Sequence, residues 1–233
     1  MTTIKTFVCL ANSYKHLGRC VAGIVEAGEG GWIRPVSARS GHEVSQEERQ
    51  YEDGSEPRVL DIVSVPLLQP QPNGYQNENW LLDPGRYWRK IGQAGWDKLL
   101  TLEQRPQTLW INGFGTFHGL NNQVPTEQVT TLEDSLKLIR VDRMMLQVHV
   151  PGAAFGDPKR VVRAHFRHTG SAYALTVTDP AYKDEYLAKQ NGFYHLGESF
   201  ITVSLSEIHT DGYAYKLVAA IIERAKFETG SKT

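Results

Sequence analysis

The sequence predicts a mainly β protein made of two small, five-stranded barrels joined by a Trp-rich, partly helical linker. Short apolar runs that alternate with period two occur in the first 70 residues and again after residue 137. Glycines separate these runs, as expected of strands joined by tight turns. Between the two halves lies a stretch of different composition, which holds Trp80, Trp88, Trp96 and Trp110.

The second half gives the clearer pattern. The run LKLIRVDRMMLQVHV, which precedes Pro151, has β character. VVRAHFRH and SAYALTV then flank a Thr-Gly turn, which predicts a hairpin. Because side chains alternate along a strand, the inner face of the first hairpin strand carries Val162, Ala164 and Phe166. The partner strand presents Tyr173, Leu175 and Val177 in the same way.

A short helix follows the hairpin, and two more strands follow the helix. Asp179 is a suitable N-cap, Pro180 suits the first turn, and Asn191-Gly192 ends the helical pattern. The stretches SFITVSLSE and GYAYKLVAAIIE then alternate as strands. Three strands, a helix and two strands is the element order of the OB-fold, a five-stranded Greek-key barrel.

The first half has a weaker version of the same order. IKTFVCLAN, RCVAGIVEA and GWIRPVS read as three strands, and RVLDIVSVPLL reads as a fourth after a charged stretch. The linker is predicted to contain one helix or two short ones, since Trp88, Ile91 and Trp96 recur at roughly helical spacing. The predicted boundaries are 1–70 for the first barrel, 71–136 for the linker, 137–226 for the second barrel and 227–233 for a disordered tail.

Bulk properties exclude several classes of protein. The chain has 233 residues and a net charge of -1, so a polyanion site has to be a local patch. Cys9 and Cys20 are too few for a disulfide framework or a thiolate metal site. No apolar stretch is long enough to cross a membrane, and the N-terminus lacks a signal peptide. We expect a cytoplasmic protein with no cofactor and no metal.

Four strings also resemble a known family: VCLANSYKHLGRCVAG, GWIRPVS, ENWLLDP and GESFITVSL. They are similar to bacterial proteins described as dual OB domain-containing, and the likeness extends over nearly the whole chain. The resemblance implies two OB-like barrels and a nucleic-acid-binding role, with defence or mobile-element systems as contexts. It carries no catalytic residues over to this sequence.

The predicted hairpin holds the first candidate site. Strand alternation places Arg163, His165 and Arg167 on the face opposite the core, and OB-folds bind oligonucleotides across their second and third strands. A solvated face whose cations pair with Glu185 and Glu198 is the alternative interpretation. The predicted phosphate-binding residues of this segment are Lys159, Arg160, Arg163, His165 and Arg167.

A second candidate site lies in the first half, around the turn at Leu17-Gly18 and the next strand. Exposed backbone N–H groups and nearby cations favour an anion, and a Trp beside an Arg provides a surface on which a base stacks. The alternative is that Trp32 belongs to the core and that Lys15 is ordinary turn charge. The predicted residues are Lys15, Arg19, Trp32, Arg34 and Arg39.

The sequence thus predicts a non-catalytic protein that binds single-stranded nucleic acid, DNA or RNA, in basic and aromatic OB grooves. A nuclease or helicase is a candidate partner. The chain lacks the P-loop, G-x-G-x-x-G, G-x-S-x-G and H-E-x-x-H motifs, so no residue is predicted to be catalytic. Two alternatives stay open: a protein-interaction or scaffold module, and an enzyme that processes nucleotides or nucleic acids.

Overall fold

The computed structural model describes residues 1–15, 17–26, 30–153 and 156–230. The chain divides into two compact units, each with its own sheet. The first unit comprises Met1–Leu102 and Glu133–Ser135, and the second comprises Glu103–Leu132 and Leu136–Thr233. The prediction of a mainly β chain is confirmed.

The sheet of the first unit closes into a five-stranded barrel, in the order β1-β2-β3-β5-β4 and back to β1. All neighbours are antiparallel except β3 and β5, which run parallel. This is the OB topology predicted from the sequence. The elements are β1 (Thr3–Lys15), β2 (Gly18–Val25), β3 (Trp32–Val36), α1 (Gln46–Arg49), β4 (Asp61–Pro70), β5 (Asn79–Leu82), β6 (Arg89–Gln93) and α2 (Trp96–Leu102).

The second unit carries a sheet in the order β12-β9-β10-β11-β14-β13-β8, with β7 paired to β14. Its elements, in chain order, are β7 (Gln123–Pro125), α3 (Thr126–Val129), β8 (Leu136–Val141), β9 (Met144–His149), β10 (Val161–His168), β11 (Ser171–Val177), α4 (Pro180–Leu187), β12 (Gly192–Leu196), β13 (Ser199–Leu205), β14 (Tyr213–Glu223) and α5 (Arg224–Gly230).

In the second unit, β8 and β9 together take the place of one long first strand. β8 pairs with β13 and β9 pairs with β10, which are the two neighbours that a single first strand has in an OB barrel. Only Asp142 and Arg143 separate them, so the predicted single strand is bent rather than interrupted by a loop. β11 and β14 run parallel, like β3 and β5. The additional strand β12 extends the sheet at β9.

Helix α4 forms where its capping residues predict it. The Asp179 carboxylate accepts hydrogen bonds from the backbone N–H groups of Ala181 and Tyr182, and Pro180 occupies the first turn. Tyr182 and Tyr186 on this helix are buried against the core of the second unit. The core therefore fixes the helix beside the strands that bear the candidate site.

The predicted linker, 71–136, is not a separate helical element. β5, β6 and α2 belong to the first unit, and residues 103–132 belong to the second. Ile91 lies in strand β6 with 60% of its surface exposed, while Trp88 is fully buried in the first core. At the C-terminus α5 reaches Gly230, inside the predicted tail, and residues 231–233 lie outside the described part of the chain.

Candidate functional site

The hairpin β10–β11 has the predicted register and inner face. Arg163 pairs with Thr176 and Phe166 pairs with Tyr173 across the two strands. Val162 and Phe166 are buried in the core of the second unit, where the Phe166 and Tyr173 rings stack with centroids 5.4 Å apart. The side chains that alternate with these, among them Arg163, His165 and Arg167, therefore belong to the outer face of the sheet.

The outer face is continuous across four strands, because β12 and β9 extend the hairpin on one side. Gln147 on β9 pairs in register with both Arg163 on β10 and Phe193 on β12. The loop that precedes β7 adds Phe117 and His118 to this surface, since the His118 and His149 rings make an edge contact at 5.3 Å. We call this surface the β9–β12 face; it comprises Phe117, His118, Gln147, His149, Arg163, His165, Arg167, Phe193 and His195.

Exposure along β10 departs from the prediction at Arg163. Arg167 is exposed and His165 is half-buried, but Arg163 keeps only 6% of its surface. Its Nη1 donates to the carbonyl of Ala174 at 3.2 Å, so the side chain lies along the sheet instead of projecting into solvent. Leu120 pairs with Ala174 at the same place through backbone hydrogen bonds. The expectation of an open row of cations is therefore wrong at Arg163.

The buried guanidinium of Arg163 lacks a compensating charge. Burial lowers its pKa, and no carboxylate raises it again. Its Nε atom is buried without a hydrogen-bond partner among the described residues. Of the outward positions on β9 to β12, all of which the structure describes, none is Asp or Glu. A buried cation without a carboxylate is costly in a folded protein.

Two histidines, His149 and His165, interact electrostatically with Arg163, and the His118 ring contacts the His149 ring. The pKa of His149 lies below its usual range because the ring is partly buried, and Arg163, His118 and His165 add repulsion. Burial and Arg163 likewise lower the pKa of His165, whose Nε2 contacts Gln147 Oε1 at 2.9 Å. The Nε2 of His149 is buried without a partner in the described part of the chain. Arg163 therefore makes the cluster electropositive, and the Nε2 of His149 can form a further hydrogen bond.

Two phenylalanines of the face are exposed: Phe193 by 56% and Phe117 by 96%. Phe193 contacts the His165 ring edge at 6.3 Å, and Phe117 contacts His118 at 4.8 Å. Exposed aromatic rings beside cationic groups form a surface on which planar ligands stack.

The remaining predicted residues of this segment divide into two kinds. Lys159 is exposed, and its backbone N–H donates to Asp157. Arg167 is exposed and donates to the carbonyl of Gly170. Arg160 instead donates to the carbonyls of Leu187 and Lys189 and to the Asn191 side chain, at the end of α4. The Arg160 guanidinium therefore holds the end of α4 through hydrogen bonds and is not free to contact a ligand.

In the first unit, two of the predicted arginines form ion pairs. Arg34 is buried, with its Nη2 2.9 Å from Glu78 and 2.8 Å from the hydroxyl of Ser135. Arg39 pairs with Glu48 at 2.8 Å. The expectation that Arg34 is available to a phosphate is wrong, since the sequence gives no sign that Glu78 lies beside it.

The other three predicted residues of the first unit lie on or beside the strands β1, β2 and β3. The Arg19 guanidinium stacks on the ring of Tyr14, 4.1 Å from its centroid. Lys15 ends β1, and Trp32 begins β3 with its ring half-buried. Arg19 therefore has an aromatic partner, whereas Arg34 has a carboxylate partner.

The prediction missed part of the β9–β12 face. Gln147 and His149 could have been found, because the alternation of QVHV places both on the outer face of β9. Phe193 could not, since the stretch between the predicted helix end at Asn191-Gly192 and the next predicted strand was assigned to no element, whereas it forms β12. Phe117 and His118 reach the face from a loop whose position depends on tertiary contacts, among them His118 to the Pro151 carbonyl at 3.0 Å.

Metal sites and membrane-spanning helices are both absent among the described residues. No three His, Cys, Asp or Glu side chains among them are arranged to hold a metal ion. Likewise, none of their helices has the length and hydrophobicity needed to span a bilayer.

Sequence comparison identifies the family. The family model for the dual OB-containing domain matches residues 5–221. The chain belongs to the dual OB-containing domain family. The OB topology of the first barrel and the strand pairings of the second unit agree with this membership, and OB domains are associated with nucleic-acid binding and related roles. No curated protein and no solved structure matches the chain.

Proposed function

We propose that this protein binds single-stranded nucleic acid, through the β9–β12 face of its second unit, without catalysing a reaction. The strands β10 and β11 correspond to the second and third strands of an OB barrel, where oligonucleotides are bound in this fold. The face is thus in the position where this family's topology favours a ligand.

One observation carries the proposal: the β9–β12 face combines cationic side chains with exposed aromatic rings and has no outward carboxylate on its four strands. Elsewhere in the described chain the arginines Arg34, Arg39 and Arg140 are paired with glutamates. A polyanion therefore has complementary charge on this face, although the whole chain is close to neutral.

The aromatic rings favour a single strand over a duplex. Phe117 and Phe193 offer ring faces to unpaired bases, whereas the bases of a duplex are already stacked on one another. Arg167 and Lys159 are exposed at the ends of the same strand, where they support contacts with the backbone phosphates.

Fluorescence anisotropy with labelled single-stranded DNA, single-stranded RNA and duplex DNA at two salt concentrations tests this function. We expect either single strand to bind more tightly than duplex and the affinity to fall as salt rises. Phe193→Ala should weaken binding about 5- to 150-fold, the range that loss of one base–aromatic stack produces. Tyr87→Ala is the matched control, since Tyr87 is an exposed aromatic of the first unit.

Two results would reject the proposal. The first is no salt-dependent binding of any oligonucleotide by folded protein. The second is equal affinity of the wild type, Phe193→Ala and Tyr87→Ala, which would place the binding surface elsewhere.

A further inference from the structure

The charge around Arg163 is incomplete. Only 6% of its surface is exposed. Its Nη1 donates to one carbonyl, and its Nε has no hydrogen-bond partner among the described residues. A carbonyl dipole balances only part of a guanidinium charge, and buried cations are usually paired with an anion. The environment therefore lacks one negative group.

Within the described part of the second unit, no element that packs at this place supplies that negative group. The titratable and charged side chains that these elements place on the outer face are all basic. They are His149 on β9, His165 and Arg167 beside Arg163 on β10, His195 on β12, and His118 in the loop before β7. The acidic residue nearest to β10 in the chain, Asp157, accepts the backbone N–H of Lys159 instead.

We propose that Arg163, His149, His165 and His118 form a binding site for one phosphate group, and that phosphate binding is coupled to proton uptake by His149 and His165. The proposal rests on the proposed function, because it assigns the position at which the β9–β12 face holds a phosphate of the bound strand. The site is built for a small anion of this charge and shape, from either a backbone linkage or a terminal phosphate.

The geometry supports a phosphate specifically. A guanidinium donates in a planar fork that matches phosphate oxygens, and Arg163 has unused donor capacity on Nε. His149 has an unpaired, buried Nε2 that donates once the ring is protonated. The rings of His118 and His149 are 5.3 Å apart, so one anion can contact both.

Proton uptake follows from the electrostatics of the cluster. Without an anion, burial and the charge of Arg163 hold the pKa values of His149 and His165 below the ordinary histidine value. A bound phosphate cancels the repulsion and stabilises the imidazolium form, so the histidine pKa rises on binding. Binding of a phosphodiester linkage, which keeps one negative charge throughout, therefore strengthens as the pH falls from about 8 to about 6, the range in which histidine titrates.

NMR of the histidine side chains, titrated with inorganic phosphate, tests the site in the full-length protein. We expect the resonances of His149, His165 and His118 to shift in one saturable transition. Arg163→Gln should weaken that transition about 10- to 100-fold, since it removes a charged donor. Arg163→Lys retains the charge and should restore part of the affinity. Arg86→Gln, which changes an exposed arginine of the first unit, should leave it unchanged.

The oligonucleotide arms separate the two proposals. If a strand with a 5′-phosphate displaces inorganic phosphate better than the same strand without that group, the site binds a terminal phosphate. Equal displacement assigns it to a backbone linkage. If the strand binds but phosphate moves no histidine resonance in the wild type, the phosphate site is wrong and the proposed function stands.

If phosphate moves the resonances but no strand binds, the site is an anion site and the nucleic-acid function fails. A transition that persists unweakened in folded Arg163→Gln overturns the assignment to Arg163. Affinity for the strand without a terminal phosphate that does not rise between about pH 8 and about pH 6 overturns the coupling to histidine protonation.

Discussion

Arg34 in the first unit and Arg163 in the second are buried to nearly the same degree, with 5% and 6% of their surface exposed. Each lies on an OB strand, and each has a buried Nε without a partner in the described chain. Arg34, however, pairs with the buried carboxylate of Glu78, which also accepts a hydrogen bond from Ser135. Arg163 has only the carbonyl of Ala174 as a partner among the residues that the structure describes.

The difference teaches that burial alone does not assign a role to an arginine. Arg34 and Glu78 satisfy each other's charge, so their interaction is complete without a ligand. Arg163 lies among histidines, and we propose that an anion from outside completes its interaction. Two arginines at one degree of burial thus differ in their neighbouring charge, and we infer a structural role for Arg34 and a ligand-binding role for Arg163.

The largest effect should come from removing each arginine in turn. Arg34→Met leaves the Glu78 carboxylate buried without its cation, and we expect a loss of about 3–5 kcal/mol in the free energy of unfolding. Arg163→Met removes a charge that has no carboxylate partner among the described residues. The Ala174 carbonyl, which accepts from Arg163, still accepts a hydrogen bond from Leu120. We expect a change within about 1 kcal/mol. Urea denaturation in phosphate-free buffer measures both.

Tryptophan fluorescence distinguishes the two units in this experiment, because all five tryptophans except Trp110 lie in the first unit. The double variant Arg34→Met with Glu78→Leu is the control, and it should recover most of the lost stability. Equal losses for Arg34→Met and Arg163→Met would show that the two arginines are equally structural.

A smaller effect should follow from giving Arg163 the carboxylate that Arg34 already has. Gln147→Glu is isosteric, pairs in register with Arg163 and contacts His165. We expect oligonucleotide affinity to fall about tenfold, or about 1.4 kcal/mol, because the new carboxylate occupies the place of the phosphate. Anisotropy titration measures the loss. Gln71→Glu, in the first unit, controls for net charge, and an equal loss there would mean that only overall charge matters.

The smallest effect concerns the pH dependence of stability. The folded protein holds the pKa values of His149 and His165 below those of the unfolded chain. The unfolded chain therefore binds more protons below about pH 6.5, and stability falls as the pH falls through that value. We expect thermal unfolding to shift to lower temperature by a few degrees. His149→Gln should reduce the shift, and phosphate should oppose it more at low pH than at high pH.

Lys216 adds a second contribution to the pH dependence at higher pH. Burial lowers its pKa to about 7, and its amine donates to the carbonyl of Ile111 and to Asn112. The unfolded chain keeps that proton up to about pH 10.4, so this group makes stability rise with pH above about 7. Lys216→Met should abolish the rise between about pH 7 and about pH 10 in thermal scans. A rise that remains would assign it to another group.

Much of the fold follows from local pattern. Alternation at Val162, Ala164 and Phe166 predicted the inner face of β10, and Asp179 with Pro180 predicted the start of α4. Both signals are local, since the pleat of a strand and the cap of a helix depend on residues close in sequence. The region around Ile91 was misassigned because its apolar spacing resembles a helix, whereas pairing of β6 with β4 makes it a strand.

The site was only partly predictable. Strand parity placed Arg163, His165 and Arg167 on one face, and that face is the outer one. Parity does not report what covers a side chain, however, so it could not distinguish buried Arg163 from exposed Arg167. Nor could it show that Glu78 meets Arg34, because the two residues are 44 positions apart in sequence.

The sequence by itself determined which side chains of a strand lie on the buried face of its sheet and which lie on the outer face, because the period of a strand is set by backbone geometry. Only the tertiary structure decided which outward cations find a carboxylate and which find histidines and aromatic rings. Those pairings depend on contacts between residues far apart in the chain, where charge and burial act through space rather than along the backbone.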